Sequence, residues 1–174
     1  MGDRQNIIKR FRDMKREIKF RGKCSHCDAW AYGNLVDYGK DEAPEIHGFD
    51  PYKEGEDEWR EITVDRWTLS QYAGVKDKNG REIYEGDILR GDCYPYHDDG
   101  EDNYLGIVFY DDEECLWQVM KFVTAKSERR GISNFSNDAF YDVDFSRMEV
   151  IGNVWDSKGL FRDSDEEVMK WFNE

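Results

Sequence analysis

The chain has 174 residues and carries 25 Lys plus Arg against 39 Asp plus Glu, a net charge of −14. That length folds as one domain or two small ones around a real core, and aromatic residues at 15% exclude a wholly disordered chain. No apolar stretch approaches the roughly 20 residues of a membrane helix, and the basic start has no apolar run behind it, so a cytoplasmic protein without membrane contact is expected.

The charge is divided. Residues 1–23 hold nine basic and three acidic side chains, while the other 151 hold 16 basic and 36 acidic. Ile7, Ile8, Phe11 and Met14 fall at helical spacing among lysines and arginines. The spacing predicts a short amphipathic helix over 5–16. An isolated helix of that length is marginal in water, so its apolar stripe needs a partner, and these four residues are the candidate oligomer arm. A basic arm on an acidic body has two further uses, contact with nucleic acid or with another acidic partner. The body itself repels nucleic acid at long range.

A strand is expected over 17–23, then a turn at Cys24–Asp28 and a second strand over 29–37 with β-formers Trp30, Tyr32, Leu35 and Val36. Residues 37–61 are acidic and turn-rich, with Pro44, Gly48, Pro51 and Gly55, and read as an irregular connection. Ile62, Val64, Trp67, Leu69 and Tyr72 suggest one strand. Asn79-Gly80 then marks a two-residue hairpin turn, because both residue types tolerate positive φ. A second turn at Tyr84-Glu85-Gly86-Asp87 leads into Ile88-Leu89, as in small SH3-like barrels.

Residues 91–103 read as an acidic loop. Strands are expected over 105–110 and 116–124, with turns at 111–114 and 128–131. Segment 132–146 fits no single pattern. A last strand covers 148–155, interrupted by Gly152. Ser164-Asp165-Glu166-Glu167 has a capping-box pattern ahead of Val168, Met169, Trp171 and Phe172, which predicts a C-terminal helix. The fold class is therefore mainly β: small barrels, SH3-like in part, between a short N-terminal and a short C-terminal helix. The organisation reads as a basic extension at 1–16, a β domain at 17–158 of one or two small barrels, and a helix within 159–174 packed on the body.

Three stretches together resemble the YopX-like family of phage and prophage proteins. They are Ile18-Lys19-Phe20-Arg21-Gly22-Lys23 followed by Trp30-Ala31-Tyr32-Gly33, the long run Gln71 to Ile88, and Glu149-Val150-Ile151-Gly152-Asn153-Val154-Trp155. The resemblance implies a β-barrel-type fold, a phage or prophage origin and self-association. It implies no catalytic activity. The N-terminal extension and the Cys24-Ser25-His26-Cys27 turn depart from the usual pattern of that family.

Cys24 and Cys27 are the metal candidates, since a zinc knuckle places two thiolates on a tight turn. A second Cys-x-x-Cys is missing, and His26, His47, Cys93, His97 and Cys115 are the remaining donors on offer. A surface hairpin without metal is the favoured reading, and a redox pair is disfavoured because no strand–helix context follows. The loop Asp98-Asp99-Gly100-Glu101-Asp102 lacks the alternating ligands of a calcium loop. Asp77, Glu82, Glu85 and Asp87 are explained by turn chemistry and cross-strand pairing before catalysis. Six Trp residues, spread over the strands, read as core and interface rather than as a base-stacking platform.

No nucleophile motif and no phosphate-cradling loop is present, so no catalytic residue and no cofactor is expected. The sequence therefore points to a binding protein and homo-oligomer, with a host protein or a small molecule as its further partner. A nucleic-acid contact through residues 1–16 is the alternative, and a zinc-dependent protein built on Cys24 and Cys27 is the second alternative.

Overall fold

The computed structural model describes residues 17–49, 59–91, 104–121, 137–140 and 143–157. The arm helix, the loop 92–103, the turn at 128–131 and the C-terminal helix lie outside these residues.

Among the described residues the chain is mainly β, in two antiparallel sheets. The first sheet uses β1 (Phe20–Lys23), β2 (Trp30–Val36), β3 (Glu45–Phe49), β4 (Trp59–Thr63), β5 (Ser70–Lys76) and β6 (Glu82–Tyr84), in the order β4-β3-β2-β1-β5-β6. The second uses β7 (Asp87–Gly91), β8 (Tyr104–Asp111), β9 (Leu116–Lys121), β10 (Asn137–Ala139) and β11 (Met148–Asn153), in the order β10-β9-β8-β7-β11. Neither order closes into a barrel. The first sheet curls instead, because β4 runs on to Val64, which bridges Cys24 just past β1. Asp65 N–H donates to the Lys23 carbonyl at 2.8 Å and Ser25 N–H to the Thr63 carbonyl at 3.0 Å on either side of that bridge. No helix among these residues is long and apolar enough to cross a membrane.

Three expectations are corrected. Residues 37–61 are not simply irregular, since β3 crosses Glu45–Phe49 and pairs with β2 and with β4. Gly48, which reads as a turn signal, is there for a close approach: a Cβ on it would collide with the Tyr32 carbonyl and lie 3.2 Å from Gly33 Cα. The single strand over 62–72 is two strands broken by a 3-10 turn at Arg66–Thr68, whose start is capped by Asp65 accepting from Trp67 N–H at 3.1 Å. The Asn79-Gly80 turn is longer than two residues. Asp77 N–H bonds the Arg81 carbonyl and Gly80 N–H bonds the Asp77 carbonyl, and only the glycine has positive φ (82°). The Asp77 carboxylate dictates that shape by accepting from the N–H groups of Asn79 and Arg81.

The core lies where the sheets meet. β7 lies between β8 and β11, and its adjacent residues Ile88 and Leu89, both fully buried, point to opposite sides. Leu89 joins Ile83, Val108, Val119, Met148 and Val150, while Ile88 joins Leu105, Ile107, Met120 and Val154. Each such side chain contributes about 1.5–3 kcal/mol by leaving water. A smaller cluster of Ala31, Ile46 and Val64 fills the curl of the first sheet.

Candidate functional site

The three sequence stretches singled out above converge on one buried cation. Arg21, on β1, is 2% exposed. Its Nη1 lies 2.7 Å from Asp87 Oδ1 at the start of β7, and its Nη2 donates to the Glu85 carbonyl at 3.1 Å. Rings surround the guanidinium: Trp30 at 4.7 Å, Tyr84 at 4.9 Å and Trp155 at 6.0 Å from centroid to Cζ. A buried guanidinium needs a carboxylate and gains from ring faces, and both are supplied here. Gly86 makes room for the cage. Its φ is +74°, and a Cβ there would collide with the Trp155 ring.

The carboxylates near the cage are committed to structure. Burial raises the Asp87 carboxyl above its ordinary range, while Arg21 and the Tyr84 N–H pull it back. Asp87 Oδ2 accepts that N–H at 2.8 Å. Burial also raises Glu85, against backbone hydrogen bonds from Gln71 and Tyr110. Glu82 meets Lys19 at 2.7 Å and the Tyr84 hydroxyl at 2.8 Å. Besides its two turn bonds, Asp77 accepts from Val150 N–H at 3.0 Å and so pins the hairpin to β11. Asp156 gathers Lys23 Nζ at 2.8 Å, Trp30 Nε1 at 2.7 Å and Asn153 Nδ2 at 3.0 Å.

Cys24 and Cys27 sit on the β1–β2 turn as free thiols, Cys27 exposed. Burial raises the Cys24 thiol, but hydrogen bonds from Cys27 and from the backbone at His26 and Cys27 outweigh this and leave it below its ordinary value. The Cys27 thiol, hydrogen-bonded to Cys24, is shifted up. Cys24 and His26 also line an open depression of about 480 Å³ whose other wall is Arg60, Glu61, Ile62 and Thr63 of β4. Among the described residues no third donor groups with the two thiols. Cys115 lies on the β8–β9 turn of the other sheet, exposed. Cys93 and His97 fall outside the described residues, as do Asp98–Asp102 and the arm residues Ile7, Ile8, Phe11 and Met14.

His47 is elsewhere engaged. It stands on β3 opposite Glu61 of β4, with its Nε2 2.8 Å from Glu45 Oε2. The donor atoms of Glu45, His47 and Glu61 lie within 4.8 Å of one another. Neither glutamate stands out in the sequence, because Pro44 and Gly48 give the strand that aligns them the signals of an irregular connection. The alternation Glu45-Ile46-His47 was the available signal.

The tryptophans divide as well. Trp30 and Trp155 pack on each other at 5.5 Å in the cage, and Trp117 packs with Tyr110 and Phe140. Trp67 is 59% exposed.

A family model described as YopX protein matches residues 19–162, which is most of the chain and includes every residue of the cage. No match was found among curated proteins. The chain belongs to the YopX protein family.

Proposed function

We propose that this YopX family member is a phage or prophage accessory protein that acts by binding, as a homo-oligomer, rather than by catalysis. The observation that carries the reading is the bonding of the motif residues. Arg21, Asp77, Glu82 and Asp87, charged groups of the stretches that mark the family, and Asp156, which directly follows the last of them, are each held by partners that join strands or sheets. Groups so engaged position a scaffold; they are not poised for proton transfer. Activity then rests with the surface outside those stretches. The matched region begins at residue 19, so the basic amphipathic segment over 1–16 is an addition to the family scaffold. Its apolar stripe of Ile7, Ile8, Phe11 and Met14 suits docking on a neighbouring copy, and its net charge of +4 suits that copy's acidic body.

Native mass spectrometry of the full chain and of a variant lacking residues 1–16 tests this. The full chain is expected as a multimer that falls to a lower order on deletion. A full chain that is monomeric at micromolar concentration overturns the reading. The alternative, nucleic-acid contact through the same segment, rests on the same charge division, and a gel shift at low salt separates it, because the phosphate contribution is strongest there.

A further inference from the structure

We propose that Glu45, His47 and Glu61 form a binding site for a divalent first-row transition ion, with zinc as its representative, on the outer face of the β3–β4 hairpin. The three donors come from paired strands in fixed register. Glu45 and His47 alternate along β3, and Glu61 stands directly across from His47 on β4. The intervening Ile46 is fully buried, and its cross-strand partner Ile62 packs into the same core cluster. The hairpin is therefore anchored from below, and the donor face is fixed by packing rather than by loop conformation.

The donor chemistry is one imidazole nitrogen and two carboxylate oxygens. That set suits zinc and its first-row neighbours better than magnesium or calcium, which take oxygen alone. Bonds of about 2.0–2.2 Å place donors around a tetrahedral ion roughly 3.3–3.6 Å apart. His47 Nε2 and Glu45 Oε2 are already 2.8 Å apart, so the ion would replace the proton between them, and Glu61 closes by a side-chain rotation from within 4.8 Å. Two carboxylates balance a divalent charge. The Tyr38 hydroxyl donates to Glu45 Oε2 at 2.9 Å, an outer contact of the kind that orients a ligating carboxylate. Three protein ligands leave a fourth position open. Glu61 also lines the 480 Å³ depression shared with Cys24 and His26.

The experiment is titration calorimetry of the full chain, stripped of metal and placed in a buffer that does not chelate, with zinc chloride as the only probe. Four proteins are compared: the wild type, His47→Gln, Glu61→Gln and the double variant Cys24→Ser/Cys27→Ser. One zinc per chain is expected in the wild type, at least tenfold weaker in His47→Gln and in Glu61→Gln, and within twofold of wild type in the double cysteine variant. Glu61 is exposed, so Glu61→Gln keeps the test valid if His47→Gln fails to fold; circular dichroism checks each. Absence of zinc binding at 100 μM overturns the proposal. So does binding that survives both hairpin variants, or that disappears with the cysteines and persists in His47→Gln, which would assign the ion to the thiol turn.

Discussion

Arg21 and Asp87 form a buried pair whose worth depends on its being complete. Removing one member leaves the other charged, dry and unpaired, which costs about 3–5 kcal/mol, whereas replacing both with apolar residues of similar volume is often neutral or better. Asp87→Asn is therefore expected to destabilise by about 3–5 kcal/mol, and Arg21→Met/Asp87→Leu by clearly less than Asp87→Asn alone. Arg21→Lys is not conservative here, because an ammonium cannot contact Asp87, the Glu85 carbonyl and three rings at once. Urea unfolding midpoints of the four proteins check this, and a double variant as unstable as Asp87→Asn would contradict it. At this scale the sequence was half legible. Turn chemistry at 84–87 predicts that Asp87 bonds a local amide, and it does bond Tyr84 N–H. The same residue's ion pair with a strand far back in the chain has no period or spacing to betray it, since cross-sheet side-chain partners depend on how the sheets dock.

Among the elements, the hairpin over 77–81 shows how one side chain can overrule a dipeptide preference. Asn-Gly favours a two-residue turn with both residues at positive φ. Here the Asp77 carboxylate accepts from Asn79 and Arg81 and fixes a longer loop in which Gly80 alone is left-handed. The two geometries make different demands. Asn79→Ala is expected to change stability by no more than about 0.5 kcal/mol, because an exposed residue at negative φ loses little. Gly80→Ala is expected to cost about 1–2 kcal/mol through left-handed strain. Thermal unfolding of the two variants checks the pair, and equal large losses would restore the two-residue turn. Strands β7, β8, β9 and β11 were legible because alternation or continuous apolar runs mark them. β3 was not, because Pro44 and Gly48 look like punctuation in one dimension. Only in the sheet does Gly48 become a place where two backbones come close. Missing β3 hid the donor face of Glu45 and His47, whereas the cysteine turn, which needs no long-range pairing, was found and correctly placed on the β1–β2 turn.

For the molecule as a whole, the question is what holds the two sheets together as pH changes. With an isoelectric point near 4.7, acidification first reduces the mutual repulsion of an acidic body and only later makes it cationic. A loss of stability below pH 4 is therefore expected to have a local component, and Asp156 is its clearest source. It lies just past β11 of the second sheet and binds Lys23 and Trp30 of the first. Burial raises its carboxyl, but the hydrogen bonds from Lys23, Asn153 and Trp30 prevail and hold it down at about 2. In the unfolded chain the same group titrates near its ordinary value of about 3.9. A folded value below the unfolded one means that the contribution is fully present above about pH 4 and is lost as pH falls towards about 2. Asp156→Asn, which cannot carry the charge, should be less stable than wild type at pH 7. The difference should shrink through this window and fall to a small remainder near pH 2. Because the side chain is 36% exposed, the same difference should also narrow in high salt. Paired urea curves at pH 7, 4, 3 and 2.5 measure it. Parallel curves at every pH would show that the wild-type carboxylate is not what couples the sheets, and would leave that task to the Arg21 cage, the Asp77–Val150 contact and the shared core.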